Sequence, residues 1–485
     1  MFFNIMYLYK VIILAAILVS VSCQTYKAGI VLYKQIDNLN TVDTNLRENV
    51  NRSAALIKSY KNQADIFVLP EYGLTNIPPP TLANLYQYST TIGEVGDKVC
   101  GKEGLDVQLV TLACAANDTS AYIIANLIES VNDTAYYLTT LGFDKTGTIV
   151  VKCRKHHISN STHFQTAKDQ TPCTFTANIN KDVVKFTILF ETDMVYPIPE
   201  GIKSGNLIMS SAISNRLPLE FGLSLYQGFA ISNGVNLLVS DFTDLVNNYG
   251  GSGVFYSNGT SVIAFNPEDV PGGNVNQSVL IRDVPVNPSV VKEVNVNAAN
   301  VGPVPKFNLP FMNISTLNET TKVLEKCIDK RCCKFSVDFG GNTIAPYKWI
   351  AVLNTTILDQ STNALICALA LPSANLAAAQ SFKNISISTN LDKSEVLLSI
   401  PVGLNDKFLP SNFFYNAVSH SIMSTSNDKI VVLGLIEVLG GTPTPSGGGN
   451  TVLIVVIVLL VLVLVGLLVA YFIWRKRQEK NRRNF

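Results

Sequence analysis

The sequence predicts an α/β fold: a layered α/β domain, then a smaller, mainly β domain, then one transmembrane helix. Three observations carry this. Short apolar runs alternate with an amphipathic helical pattern up to about residue 284. From about residue 300 the chain turns Ser-, Thr- and Asn-rich, with β-type runs. Residues 451–474 are almost wholly Val, Leu and Ile, without charge.

The elements follow in order. Tyr26–Tyr33 reads as a first strand. The next segment puts Leu46, Val50, Ala54 and Ile57 on one face, at helical spacing. Asp65-Ile-Phe-Val-Leu-Pro70 is a short apolar run closed by proline, the pattern of a buried strand. Residues 121–127, 135–143 and 148–153 read as further strands, punctuated by Gly142, Asp144 and Gly147. Two more lie at 183–190 and 235–240, with a helix over about 217–232 between them. The pattern gives an α/β domain over 24–290 and a β domain over 300–437, with Trp349-Ile-Ala-Val-Leu and Val396-Leu-Leu-Ser-Ile-Pro among its strands. Residues 438–450, rich in Gly, Pro and Thr, read as a flexible stalk.

Both ends read as membrane-route signals. Residues 1–23 carry one basic residue, Lys10, an apolar run and small residues before Gln24, which is the form of a signal peptide. The competing reading is an anchor, for which the run is short. The 24 residues of 451–474 exceed the roughly 20 needed to cross the hydrocarbon. Six basic residues follow within 475–485, so the positive-inside rule places the tail in the cytoplasm and residues 24–450 outside, a type I plasma-membrane topology. A cleaved lipid-anchor signal is the alternative, but such signals end in their apolar tail.

Setting aside Lys10, the tail's basic residues and Glu479, 30 basic residues face 35 acidic ones, a balance that gives no pull toward nucleic acid. Ten Asn-x-Ser/Thr sequons, at Asn51, Asn117, Asn132, Asn160, Asn258, Asn276, Asn313, Asn318, Asn354 and Asn384, fit a glycosylated lumenal segment. Eight cysteines remain once Cys23 is assigned to the leader: Cys100, Cys114, Cys153, Cys173, Cys327, Cys332, Cys333 and Cys367. An even number in an oxidising compartment favours disulfides, and Cys100–Cys114 is one plausible local pair. No zinc spacing occurs, so neither a metal nor a cofactor is expected.

Three strand ends carry the chemistry. Glu71 follows the buried run in Val68-Leu-Pro-Glu71-Tyr-Gly, where α/β folds place ligands. Lys155 follows Gly147-Thr-Ile-Val-Val-Lys-Cys-Arg, and Glu191 follows Val184-Lys-Phe-Thr-Ile-Leu-Phe. Each alone reads more readily as a solvated charge at a strand end. Together, in this order and context, they resemble the stations of the vanin/biotinidase branch of the carbon–nitrogen hydrolase (nitrilase) superfamily. Leu217-Pro-Leu-Glu, Tyr226-Gln-Gly-Phe-Ala, Gly234-Val-Asn-Leu-Leu, Gly251-Ser-Gly-Val-Phe-Tyr and Cys332-Cys-Lys-Phe-Ser extend the resemblance over about residues 26–437.

The resemblance implies a four-layer α-β-β-α sandwich. It makes Glu71 the general-base position, Lys155 the oxyanion-stabilising position and Glu191 the nucleophile position, where the family keeps cysteine. In such enzymes the glutamate takes the thiol proton, the thiolate attacks an amide carbonyl, and the lysine steadies the oxyanion. The ligands implied are small amides such as pantetheine or biotin amides. A carboxylate at position 191 is a weak nucleophile toward an amide, so a salt-bridged, catalytically impaired pseudoenzyme is expected. Asp193 keeps its place, whereas Thr243 stands where relatives often have histidine. The alternatives are an active amidohydrolase of pantetheinase/biotinidase type that acts on linear amides through an unusual site, for which Cys153 and Cys173 are candidate substitute thiols, and an adhesion or structural glycoprotein. The sequence names no protein partner.

Overall fold

In the computed structural model the described residues are most of 24–438. Residues 1–23 and 439–485 lie outside them, as do internal stretches including 76–84, 159–162, 169–172, 289–295 and 372–378. The expected signal peptide, transmembrane span and basic tail therefore fall outside the described residues, as does the stalk apart from Val438, which closes the strand Lys429–Val438. No helix among those described is long and apolar enough to cross a membrane.

Two sheets stack face to face. The first runs in the order Gln277–Pro285, Thr25–Tyr33, Ile66–Val68, Tyr122–Val131, Ala135–Phe143, Ile149–Arg154, with Ser89–Thr90 beside Tyr122–Val131. The second runs Val296–Ala298, Ser261–Ala264, Ser252–Phe255, Asn236–Asp241, Asn206–Ser211, Asp182–Leu189, Thr174–Ile179. Alternation within each strand sends successive side chains to opposite faces, so each sheet feeds two cores. From the first sheet, Ile30, Val68 and Ile124 meet Phe186, Ile208 and Leu238 of the second. The opposite face, with Val31, Phe67 and Ile123, is covered by helices Val42–Ser59 and Val107–Thr119. The stripe of Leu46, Val50, Ala54 and Ile57 is buried there as its spacing predicts. On the far side of the second sheet, Leu207, Met209, Leu237 and Val239 pack against helix Gly222–Asn233. The layers thus run helix, sheet, sheet, helix.

That last helix starts at Gly222, five residues later than the sequence pattern suggests. Leu217 precedes a proline, which disfavours helical backbone, and pairs instead as a strand with Phe307. The Asn215 side chain then accepts from the Gly222 N–H at 2.8 Å, supplying the missing cap.

Among the described residues of 306–438 every regular element is a strand. A seven-stranded sheet containing Lys348–Ile357, Gln360–Ala370 and Lys429–Val438 faces a five-stranded one containing Arg331–Asp338 and Asn384–Thr389. Trp349, Phe335 and Leu435 fill the space between them. Its other face joins the core around helix Gly222–Asn233, where Ile366, Leu398 and Ile436 meet Phe229. Ser224 Oγ donates to the Pro401 carbonyl at 2.7 Å across this junction. Gly228 permits the approach, because a Cβ there would lie 2.4 Å from the Ser399 carbonyl oxygen. Gly228→Ala is therefore expected to lower stability by about 1–3 kcal/mol despite its better helix propensity. Denaturant unfolding checks this, with an unchanged or raised midpoint as the contrary result.

Candidate active site

Three strands from both sheets end at one point. The first sheet brings Glu71, three residues beyond Ile66–Val68, and Lys155, directly beyond Ile149–Arg154. The second brings Glu191, two residues beyond Asp182–Leu189, in the first turn of a short 3-10 helix. Turn chemistry fixes each one. After Glu71 the chain reverses tightly, with Tyr72 in left-handed backbone at φ 54° and Gly73 N–H donating to Pro70 O. A non-glycine residue in that region is costly and needs support from its surroundings. The Lys155 N–H donates to Leu138 O at 2.7 Å, holding the residue against the neighbouring strand.

Lys155 joins the three. Its Nζ donates to both Glu71 oxygens, at 2.9 and 3.0 Å, and to Glu191 Oε1. All three side chains are buried, Glu71 to 1 %, Lys155 to 4 % and Glu191 to 8 % exposure. Glu191 Oε2 is buried and has no hydrogen-bond partner. Two carboxylates thus share one ammonium. Burial first, and the Glu191 charge second, push Glu71 up from 4.5 to about 8, against the pull of Lys155. For Lys155 burial acts downward, but Glu191 and Glu71 together overrule it and hold the ammonium above the ordinary lysine range.

The sign of the resulting pH dependence follows. A folded-state value raised above the unfolded one gives a contribution present below about pH 4.5 and lost as pH rises through about 8. Glu191→Gln removes the like charge, so Glu71 should titrate lower than about 8 in that variant. Carboxyl-carbon NMR titration checks this, and an unmoved or raised midpoint would refute the coupling.

The surroundings tie the two sheets together at this point. Asp193 accepts from the Phe190 N–H at 2.9 Å and pairs with His157 Nδ1 at 2.7 Å. The His157 ring stacks on Tyr196 with centroids 3.5 Å apart. Thr192 Oγ1 donates to His157 O at 2.8 Å. The Lys155-His-His run is thus partly a clamp on the Glu191 turn, a role the sequence did not disclose, although its adjacency to Lys155 was visible. Also unforeseen is an aromatic wall beside Glu71, in which Tyr72, Tyr136, Phe164 and Phe242 form one buried cluster. Behind the site the fully buried Asp241 accepts from Tyr226 Oη at 2.7 Å, and burial raises its carboxyl well above the usual range. Thr243 is buried, with its hydroxyl lacking a partner.

Four disulfides are present: Cys100–Cys114, Cys153–Cys173, Cys327–Cys332 and Cys333–Cys367. Cys153 and Cys173, the candidates to replace the missing thiol, are bonded to each other, so no free thiol exists among the described residues. Glu325 lies close to Cys327 and Cys332, but their joined sulfurs have no thiolate to offer a metal.

Comparison with known proteins agrees with this geometry. A carbon-nitrogen hydrolase family profile matches residues 27–198, a stretch that holds Glu71, Lys155 and Glu191. Vanin-like protein 3 of Drosophila melanogaster is 24% identical over 346 residues, covering 66% of this chain and 64% of that one. Pantetheine hydrolase VNN2 of Homo sapiens is 24% identical over 252 residues, covering 46% and 47%. Vanin-like protein 2 of Drosophila melanogaster is 28% identical over 182 residues, covering 32% and 34%. The chain thus spans less than two thirds of the length of each of these relatives. Residues 27–198 thus match the carbon-nitrogen hydrolase family, and the chain is similar to vanin-like proteins and to a pantetheine hydrolase.

Proposed function

We propose that this chain is a cell-surface, vanin-like glycoprotein that has lost amide cleavage and retains its hydrolase site for binding. The observation that carries the reading is Glu191. It stands at the nucleophile position and is bonded to Lys155, so the ammonium that would steady an oxyanion is held between two carboxylates. The base position is compromised as well. With Glu71 pushed up to about 8, most of it is protonated at neutral pH and cannot accept a further proton. The disulfides of Cys153 and Cys173 leave neither free as a substitute nucleophile.

The surface placement rests on the leader, the 451–474 span and its basic flank. The sequons Asn51, Asn117, Asn132, Asn276 and Asn384 are exposed, as acceptors for glycans must be. Asn160, Asn258, Asn313, Asn318 and Asn354 have side chains outside the described ones. Pantetheine, the substrate in the human relative's name, is the probe amide. The test compares pantetheine hydrolysis by wild type and Glu191→Cys: a silent wild type supports the reading, and turnover by it overturns the reading.

A further inference from the structure

With both carboxylates ionised, the cluster at the three strand ends is one positive charge short. Glu71 and Glu191 are both buried against a single ammonium, and Glu191 Oε2 is left without a hydrogen bond at 8 % residue exposure. An unpaired buried carboxylate oxygen costs free energy that a donor recovers. A proton on Glu71 removes the excess charge but brings a single donor. A ligand that brings both a positive charge and N–H donors meets the need in full, and would complete a neutral four-membered cluster of two carboxylates and two ammonium groups. One aromatic face borders the cluster, with Lys155 Nζ 5.6 Å from the centre of the Phe190 ring. Such a face favours cations. A neutral amide brings no charge and leaves the deficit in place.

We propose that Glu191, with Glu71, receives a small primary ammonium group, so that the ligand class of this site is an amine rather than an amide. The inference rests on the catalytically silent reading above. Bound amine and the Glu71 proton compete, because each neutralises the same excess charge. The other groups facing the cluster are named by their effects: Lys155 bonds to both carboxylates, while Tyr72, Tyr226 and Asp241 feel the Glu191 charge. Burial raises all three of the latter, so none adds a competing cation.

The experiment is calorimetric titration of the full-length chain in detergent with n-butylamine, butyramide and tetramethylammonium, at pH 6 and pH 9. Butylamine is expected to bind about a hundredfold tighter at pH 9, since a competing proton weakens binding roughly tenfold per unit below a value near 8. Butyramide and tetramethylammonium, which lack the charge or the N–H donors, should bind at least about tenfold more weakly. Glu191→Gln should lose butylamine binding. Proton release by wild type on binding, measured at pH 7 in two buffers of different ionisation heat, tests the same competition without any variant. No butylamine binding, a pH-independent affinity, absent proton release or equal binding of butyramide overturns the proposal. A wild type that neither hydrolyses pantetheine nor binds butylamine refutes this inference alone, whereas pantetheine turnover refutes the reading beneath it.

Discussion

Lys155→Ala is expected to destabilise the fold by about 3–5 kcal/mol, the cost of leaving a buried charge without its partner. The size follows from the arrangement. Lys155 is 4 % exposed and, among the described residues, is the one cation bonded to both Glu71 and Glu191. Removing it strands two carboxylates in a low-dielectric site. The deficit should also depend on pH. Without the ammonium, Glu71 is pushed further above its value of about 8, so above pH 8 the variant keeps a proton that wild type has released. Its deficit should therefore be largest well above pH 8 and shrink as pH falls toward 8, below which both proteins hold the Glu71 proton. Denaturant unfolding across that range measures both. A deficit under about 1 kcal/mol, or one that grows on acidification, would contradict the buried-cluster account. The surface pair Arg47–Asp43, with both side chains about half exposed or more, marks the contrast: Arg47→Ala there should cost under about 1 kcal/mol.

Glu191→Cys is expected to create amide hydrolysis, raising turnover of pantetheine on the order of a thousandfold or more over the wild-type background. The substitution acts twice. It supplies the sulfur nucleophile at a strand end already aligned with Glu71 and Lys155. It also removes the like charge that helps raise Glu71, so the base titrates lower and is free to accept the thiol proton. The ammonium, released from one carboxylate, becomes available to a developing oxyanion. Because the three groups act as a unit, Lys155→Ala on top of Glu191→Cys should abolish the gain. Retention of activity in that double variant would show that the sulfur works independently of the site described.

Much of this was legible in the sequence because strand ends and periodicity are local signals. The apolar stripe Leu46, Val50, Ala54, Ile57 and the run Asp65–Pro70 announced a helix and a buried strand directly. The three charged stations could be placed because each closes an apolar run. Their meeting at one ammonium is a product of two stacked sheets, and here only the order of the family motifs pointed to it. The His157–Asp193 pair and the stacking of His157 on Tyr196 join residues 36 and 39 positions apart by number, with no periodic signal between them. The late helix start at Gly222 depended on a cap from Asn215 that only the folded chain supplies. The aromatic wall of Tyr72, Tyr136, Phe164 and Phe242 draws its members from four separate segments, so spacing could not reveal it.

The most direct test of the central claim is pantetheine hydrolysis by the wild-type chain, assayed beside Glu191→Cys under identical conditions. The account predicts no turnover above background from wild type and clear turnover from the cysteine variant. Turnover by wild type at a rate comparable to the variant would contradict it, since Glu191 could then not be the residue that silences the site.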